Sequence, residues 1–172
     1  DRTTPAQFNT RWADSTHLTL SFAPDGATAL NASSTLYSTL DSLMPRATWR
    51  LAILRAAQVW AEAAGVNIGV TSDQADPFGA NGLPQGDSRF GDIRVGALPM
   101  SGELAEAIPP DPSLAGTLAG DIFINSSAKF TSETLFGVAL HEIGHALGLA
   151  SSTDPSSVMF DTFNHNLTLS AS

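Results

Sequence analysis

The stretch His141-Glu142-Ile143-Gly144-His145-Ala146-Leu147-Gly148-Leu149-Ala150-Ser151 decides how this chain is read. His-Glu-x-x-His puts two imidazoles four residues apart, so on a helix they project from one face and can grip one zinc ion. Glu142, one residue along, is too far round the helix to be a third ligand on that face. It is placed to take a proton from a water at the metal. Gly148 allows the helix to end and the chain to turn sharply. In the longer pattern H-E-x-x-H-x-x-G-x-x-H the last position supplies the third ligand. Here that position is Ser151, and a hydroxyl is a poor zinc ligand beside an imidazole.

The bland alternative is two polar residues on the exposed face of an amphipathic helix. The flanks argue against it. Leu135, Phe136, Val138, Ala139, Leu140, Ala146, Leu147 and Leu149 are apolar almost all round, so this helix is buried. Imidazoles and a carboxylate in such a place need partners.

Outward from this helix, which is expected over Glu133 to Leu147 with Thr131 or Ser132 as N-cap, the chain alternates strands and helices. Residues 17–23 alternate apolar and polar positions and stop at Pro24-Asp25-Gly26, a first strand and turn. Residues 27–44 place Leu36, Leu40 and Leu43 at spacings suited to a short helix or a packed loop. Pro45 to Ala64 is the strongest helix, with proline in its first turn. Trp49, Ala52, Ile53, Ala56, Val59, Trp60 and Ala63 form one apolar stripe, and Gly65 stops it. Val66 to Val70 reads as a strand and completes a β-α-β unit. Thr71 to Arg89 is a loop rich in Gly, Pro and Asp. Asp92 to Gly96 is a strand, Glu103 to Ile108 a short edge strand closed by Pro109-Pro110, and Gly120 to Asn125 another strand. No repeat or linker interrupts the series, so one α+β domain over residues 1–172 is expected.

Composition removes several functions. Of 172 residues, 42% are apolar, enough for a full core. No apolar run is long enough for a membrane span. Eight basic residues against seventeen acidic give a net charge of −9, which repels nucleic acid and anionic lipid. Without cysteine there are neither disulfides nor thiolate metal sites. The chain opens on the polar Asp1-Arg2-Thr3-Thr4, which has no signal-peptide pattern and is expected of a mature or excised domain. Sequons at Asn31, Asn125 and Asn166 are read as chance in a chain rich in Ser, Thr and Asn.

The run His141 to Met159, HEIGHALGLASSTDPSSVM, resembles the active site of the matrixins, the matrix-metalloproteinase branch of the metzincin zinc endopeptidases. The likeness includes Gly148, the Ser-Thr-Asp-Pro loop at 152–155, and Ser157-Val158-Met159, which is similar to the family's Met-turn beneath the metal. At coarser grain it extends to the 45–64 helix, Gly91-Asp92-Ile93, Leu104-Ala105-Glu106-Ala107 and Ala119-Gly120-Asp121. The resemblance implies a twisted, mostly parallel five-stranded sheet with one antiparallel edge strand. It also implies a secreted or extracellular monomeric hydrolase acting on peptide or protein substrates, with neither nucleic acid nor membrane as partner. Zinc would be held by His141 and His145, with Glu142 as general base. An extended peptide would lie antiparallel to the Glu103–Ile108 edge, touching Glu103, Leu104 and Ala105. Phe160, Asp161, Thr162 and Phe163 would form a substrate-pocket wall, although plain core packing explains the two phenylalanines equally well.

Departures from the family pattern carry their own implications. Glu106 and Phe123 stand where the family has histidines for a structural zinc, so that second zinc is not expected. A calcium site is implied by Asp92 and Asp121 with the backbone carbonyls of Thr117 and Ala119; two aspartates capping strand ends is the competing reading. The resemblance implies that the family's last helix would begin at Leu167-Thr168-Leu169-Ser170, within the final six residues of the sequence. For the third ligand at the Ser151 position, three substitutes are open: water, Asp154 after a loop rearrangement, or His165 from beyond the Met-turn. The rival function is a pseudo-protease that binds peptides or matrix proteins without cleaving them.

Overall fold

The computed structural model describes residues 12–160. Its main sheet has five strands in the order β4-β1-β5-β7-β6. Here β1 is His17–Phe22, β4 is Asn67–Val70, β5 is Ile93–Leu98, β6 is Ala105–Ala107 and β7 is Ile122–Asn125. The β1–β4, β1–β5 and β5–β7 pairings are parallel, and β6 alone runs antiparallel, on β7. The expected α+β architecture is therefore present, antiparallel edge strand included. Strand β5 is buried along its whole length, as a central parallel strand covered on both faces must be.

One face of the sheet is covered by two helices, α2 (Arg46–Ala64) and α4 (Ser132–Ala146). Trp49, Ile53 and Ala56 of α2 join Leu135, Val138 and Ile143 of α4 and Leu20, Ile93 and Ile122 of the sheet in the main core. Trp49 is the largest fully buried side chain, with the rings of Phe22 and Tyr37 edge-on to it. The other face carries a smaller cluster around Phe78, Leu98 and Phe123, roofed by the loop between β4 and β5.

Several expectations needed correction. The apolar stripe of α2 is narrower than its sequence suggests: Val59 and Ala63 are exposed, while Ala57 is buried. In the last turns of α2 only Trp60 packs against the core, and the positions of Val59 and Ala63 face solvent. Pro45 sits at the N-cap rather than inside the helix. Residues 27–44 divide into a hairpin, β2 (Thr28–Ala29) with β3 (Ala32–Ser33), and a short helix α1 (Leu36–Asp41) that buries Leu36 and Leu40. A further short helix, α3 (Pro112–Ala115), was hidden by the prolines around it; Asp111 caps it by accepting from Ser113 N–H at 3.1 Å. Asn125 is buried, its amide donating to the Met100 and Glu103 carbonyls, which agrees with the chance reading of that sequon.

Candidate metal and catalytic site

Helix α4 begins at a capping box. The Thr131 hydroxyl accepts from Thr134 N–H at 3.2 Å, and the Thr134 hydroxyl accepts from Thr131 N–H at 2.8 Å. At its other end Leu149 N–H reaches the Gly144 carbonyl and Gly148 N–H the His145 carbonyl, the two bonds of a Schellman motif. Gly148 has φ +101, the positive value this turn needs. The sequence-level reading of Gly148 is therefore right, and its effect is to send residues 149–160 back beneath the helix.

That return fixes both imidazoles. His141 Nδ1 lies 2.8 Å from the Val158 carbonyl and His145 Nδ1 lies 2.8 Å from the Leu149 carbonyl. Carbonyls only accept, so each Nδ1 carries a hydrogen, and in a neutral ring Nε2 then presents its lone pair. The two Nε2 atoms are 3.0 Å apart. Two neutral rings in this tautomer cannot hydrogen-bond each other through Nε2; an added proton or a cation resolves the arrangement. An ion at the usual Zn–N length of about 2.0–2.1 Å touches both, so the pair fits zinc. The carbonyl partners are the outer-shell acceptors that typically orient metal-binding histidines. Among the described residues, however, no group of three or more His, Asp or Glu side chains gathers to hold an ion.

Glu142 is 7% exposed. Burial pushes its carboxyl up to about 8, with the negative charges of Glu103 and Glu106 adding to the rise and the Ala107 N–H opposing it. The last contact is a spatial link: edge strand β6 abuts the carboxylate next to the two imidazoles.

The floor of the site depends on a glycine that the sequence pattern leaves as an unspecified position. A Cβ on Gly144 would collide with Met159 Sδ and the Trp60 ring. Met159 is 1% exposed and packs directly under the helix at this point. Trp60 Nε1 donates to the Leu140 carbonyl at 2.7 Å, and Trp12 Nε1 to the Ala146 carbonyl at 2.8 Å, pinning α4 from two sides. None of these partners is visible from spacing along α4, because each comes from a distant segment. Composition offered one clue: a buried tryptophan usually finds an acceptor for its N–H.

The remaining candidates separate. Ser151 is exposed, in the loop after α4. The Asp154 carboxylate accepts from Ser156 N–H at 2.9 Å and from its hydroxyl at 2.8 Å, serving its own loop. Phe160 is half-buried and bridges to Ser152. Asp161, Thr162, Phe163 and His165 lie outside the described residues. Glu103 is exposed, Leu104 half-buried and Ala105 buried along the edge strand. Asp92 accepts from Thr19 N–H at 2.9 Å and Gly86 N–H at 2.7 Å, the pattern of a cap. Asp121 Oδ1 accepts from Arg94 N–H at 3.0 Å, whereas its Oδ2 is buried without a hydrogen-bond partner. Burial pushes the Asp121 carboxyl well above the usual carboxylate range. Thr117 and Ala119, the proposed carbonyl donors, are both buried beside it in sequence.

A five-stranded sheet with an antiparallel edge, laid against a helix carrying His-Glu-x-x-His, defines the class of zincin-like metallopeptidases. Comparison of sequences narrows the class. A sequence model of the matrixin family matches residues 29–171, and the chain belongs to that family of zinc-dependent metallopeptidases. It is 34% identical over 125 residues to macrophage metalloelastase of Oryctolagus cuniculus, covering 71% of this chain and 25% of that protein. It is 30% identical over 159 residues to interstitial collagenase of Equus caballus, covering 90% and 29%. Matrix metalloproteinase-20 of Homo sapiens is 46% identical over 68 residues, 37% of this chain and 13% of that protein. The chain thus spans less than a third of the length of these relatives. Among the described residues no helix is long and apolar enough to cross a membrane.

Proposed function

We propose that this chain is a zinc-dependent endopeptidase domain, working outside the cell on protein substrates as a monomer, whose metal site lacks its third imidazole. The observation that carries the reading is the pair of Nε2 atoms 3.0 Å apart, oriented by the Val158 and Leu149 carbonyls and flanked by buried Glu142. When bound, zinc would supply Lewis acidity, activating a water and polarising the peptide carbonyl. His141 and His145 would hold it through Nε2. Glu142 accepts the proton of the attacking water and returns it to the departing amine. Its carboxyl, high when the site is uncharged, comes down when positive charge stands beside it, which suits a base at neutral pH.

An extended peptide is held on the edge of β6 that no other described strand pairs, antiparallel to it, by strand addition. The Ala107 N–H that meets Glu142 ties that edge to the base. Phe160 contributes to the wall after the Met-turn. Calcium is supported at Asp121, whose buried Oδ2 suits a cation with the Thr117 and Ala119 carbonyls, more than at Asp92, whose oxygens already cap two backbone N–H groups.

Ser151 favours a second reading, a peptide-binding domain with little cleavage. Ser151→His separates the two. It is expected to raise zinc affinity by about tenfold or more, the scale that even outer-shell partners reach, and to produce chelator-sensitive cleavage of an unstructured protein. Metal analysis and chelator competition read the first effect, and a cleavage assay the second. A variant that holds zinc stoichiometrically and cleaves nothing would defeat the peptidase reading.

A further inference from the structure

The edge strand that borders the site carries an unusual charge. Leu104 O accepts from Asn125 N–H at 2.9 Å and Ile108 N–H donates to Asp121 O at 2.8 Å, so the even-numbered residues of this segment bond inward to β7. In the alternating antiparallel pattern the peptide groups of Ala105 and Ala107 therefore face away from the sheet. Side chains alternate as well. Ala105 and Ala107 pack into the core on the helix side, while Glu106, opposite Phe123, faces the other way. Continuing the alternation two residues back from the strand's start at Ala105 assigns Glu103 to the side of α4.

Both glutamates are exposed, and neither has an ion-pair partner among the described residues. From Val95 to Ala128 the sequence contains no Lys, Arg or His at all. A strand added here meets one carboxylate on each face, and cross-strand pairing favours opposite charge and disfavours like charge.

We propose that the open edge of β6 selects extended peptides carrying Lys or Arg at two positions three residues apart, one facing Glu106 and the other facing Glu103. The inference rests on the peptide-binding edge proposed above. With the peptide antiparallel to β6, the basic residue opposite Glu103 lies three positions toward the peptide's C-terminus from the one opposite Glu106. Selection comes from charge rather than shape, so Lys and Arg both serve, and salt weakens the preference.

The test uses fluorescent peptides of one sequence differing only as Lys-x-x-Lys, Lys-x-Lys or Gln-x-x-Gln. Their binding to the zinc-supplemented protein is followed by fluorescence anisotropy. Each correctly placed Lys is expected to tighten binding by about two- to fivefold over Gln, the range of measured cross-strand charge pairs. Lys-x-Lys should lose one of the two gains. Glu106→Gln and Glu103→Gln should each remove one gain, their combination both, and Glu106→Asp should retain most of its share. If the peptides bind but the Lys preference is absent, or survives in the double variant, the selectivity is refuted while the binding edge stands. If no peptide binds, the binding edge itself is refuted and the selectivity with it.

Discussion

Two clusters of buried ionisable groups among the described residues are built on opposite principles. Beneath the loop between β4 and β5, the side chains of Arg94 and Asp73 are each 1% exposed and form a two-pronged pair at 2.8 and 2.9 Å. Ser21 donates to Asp73, the Asp76 carbonyl accepts from Arg94, and the Phe78 and Phe90 rings lie 4.1 and 4.5 Å from the guanidinium carbon. This cluster is completed almost wholly by the chain itself. At the end of α4, by contrast, the backbone fixes the outer edge of each imidazole and leaves the inner edges converging beside a buried carboxyl. A closed charge cluster anchors a loop; a convergent one invites a further cation.

The sharpest way to break the comparison is to open the closed cluster. Asp73→Ala leaves Arg94 buried and unpaired and is expected to destabilise the protein by about 3–5 kcal/mol. Chemical denaturation measures it, and a loss under about 1 kcal/mol would mean that the pair is not structural.

The convergent cluster should instead reveal itself through pH. The Glu142 carboxyl has its ordinary value of 4.5 in the unfolded chain, and burial pushes it up to about 8 in the folded chain without metal. Below 4.5 both states are protonated. Above it the unfolded chain releases the proton that the folded chain keeps, so stability falls as pH rises, by at most about 1.4 kcal/mol per unit, and levels off past 8. Asp121, also raised by burial, acts in the same direction. Chelator-treated protein should therefore melt lower at pH 8 than at pH 5, and Glu142→Gln should remove part of that slope. An unchanged slope in the variant would contradict the assigned burial of Glu142.

Smaller effects test the supports of the convergent site. Gly144→Ala overpacks the Met159 and Trp60 contact and should cost about 1–3 kcal/mol. It should also disturb zinc binding, because the floor moves; a fully stable variant with wild-type zinc affinity would show that the contact is slack. Thr131→Ala removes the capping box and should cost about 1 kcal/mol without altering zinc affinity. A change in metal affinity from that distant end would show that the two ends of α4 are coupled.

Much of this was legible in the sequence. Period-two alternation located β1 and a period-3.6 stripe located α2, while apolar flanks on nearly every side marked α4 as buried. His141, Glu142, His145 and the turn at Gly148 follow from spacing along a single helix. What escaped was tertiary. Val59 and Ala63 have core spacing but are exposed among the described residues. The hairpin at residues 28–33 places Leu30 at φ +54, a conformation for which leucine gives no local signal. The carbonyls of Leu149 and Val158 carry no side-chain signature, although they fix the tautomers of both rings. The Arg94–Asp73 pair joins residues 21 positions apart, with nothing in the intervening loop to announce it.

The bonds from the two Nδ1 atoms also offer a way to watch the site at work. Leu149 and Val158 bracket the returning loop, so a ligand that clamps the two rings together also clamps both ends of that loop. Metal occupancy and loop opening then become two readings of one equilibrium. Amide hydrogen exchange across residues 149–159 would slow in proportion to the ion bound, turning a silent, colourless metal into a signal carried by the backbone.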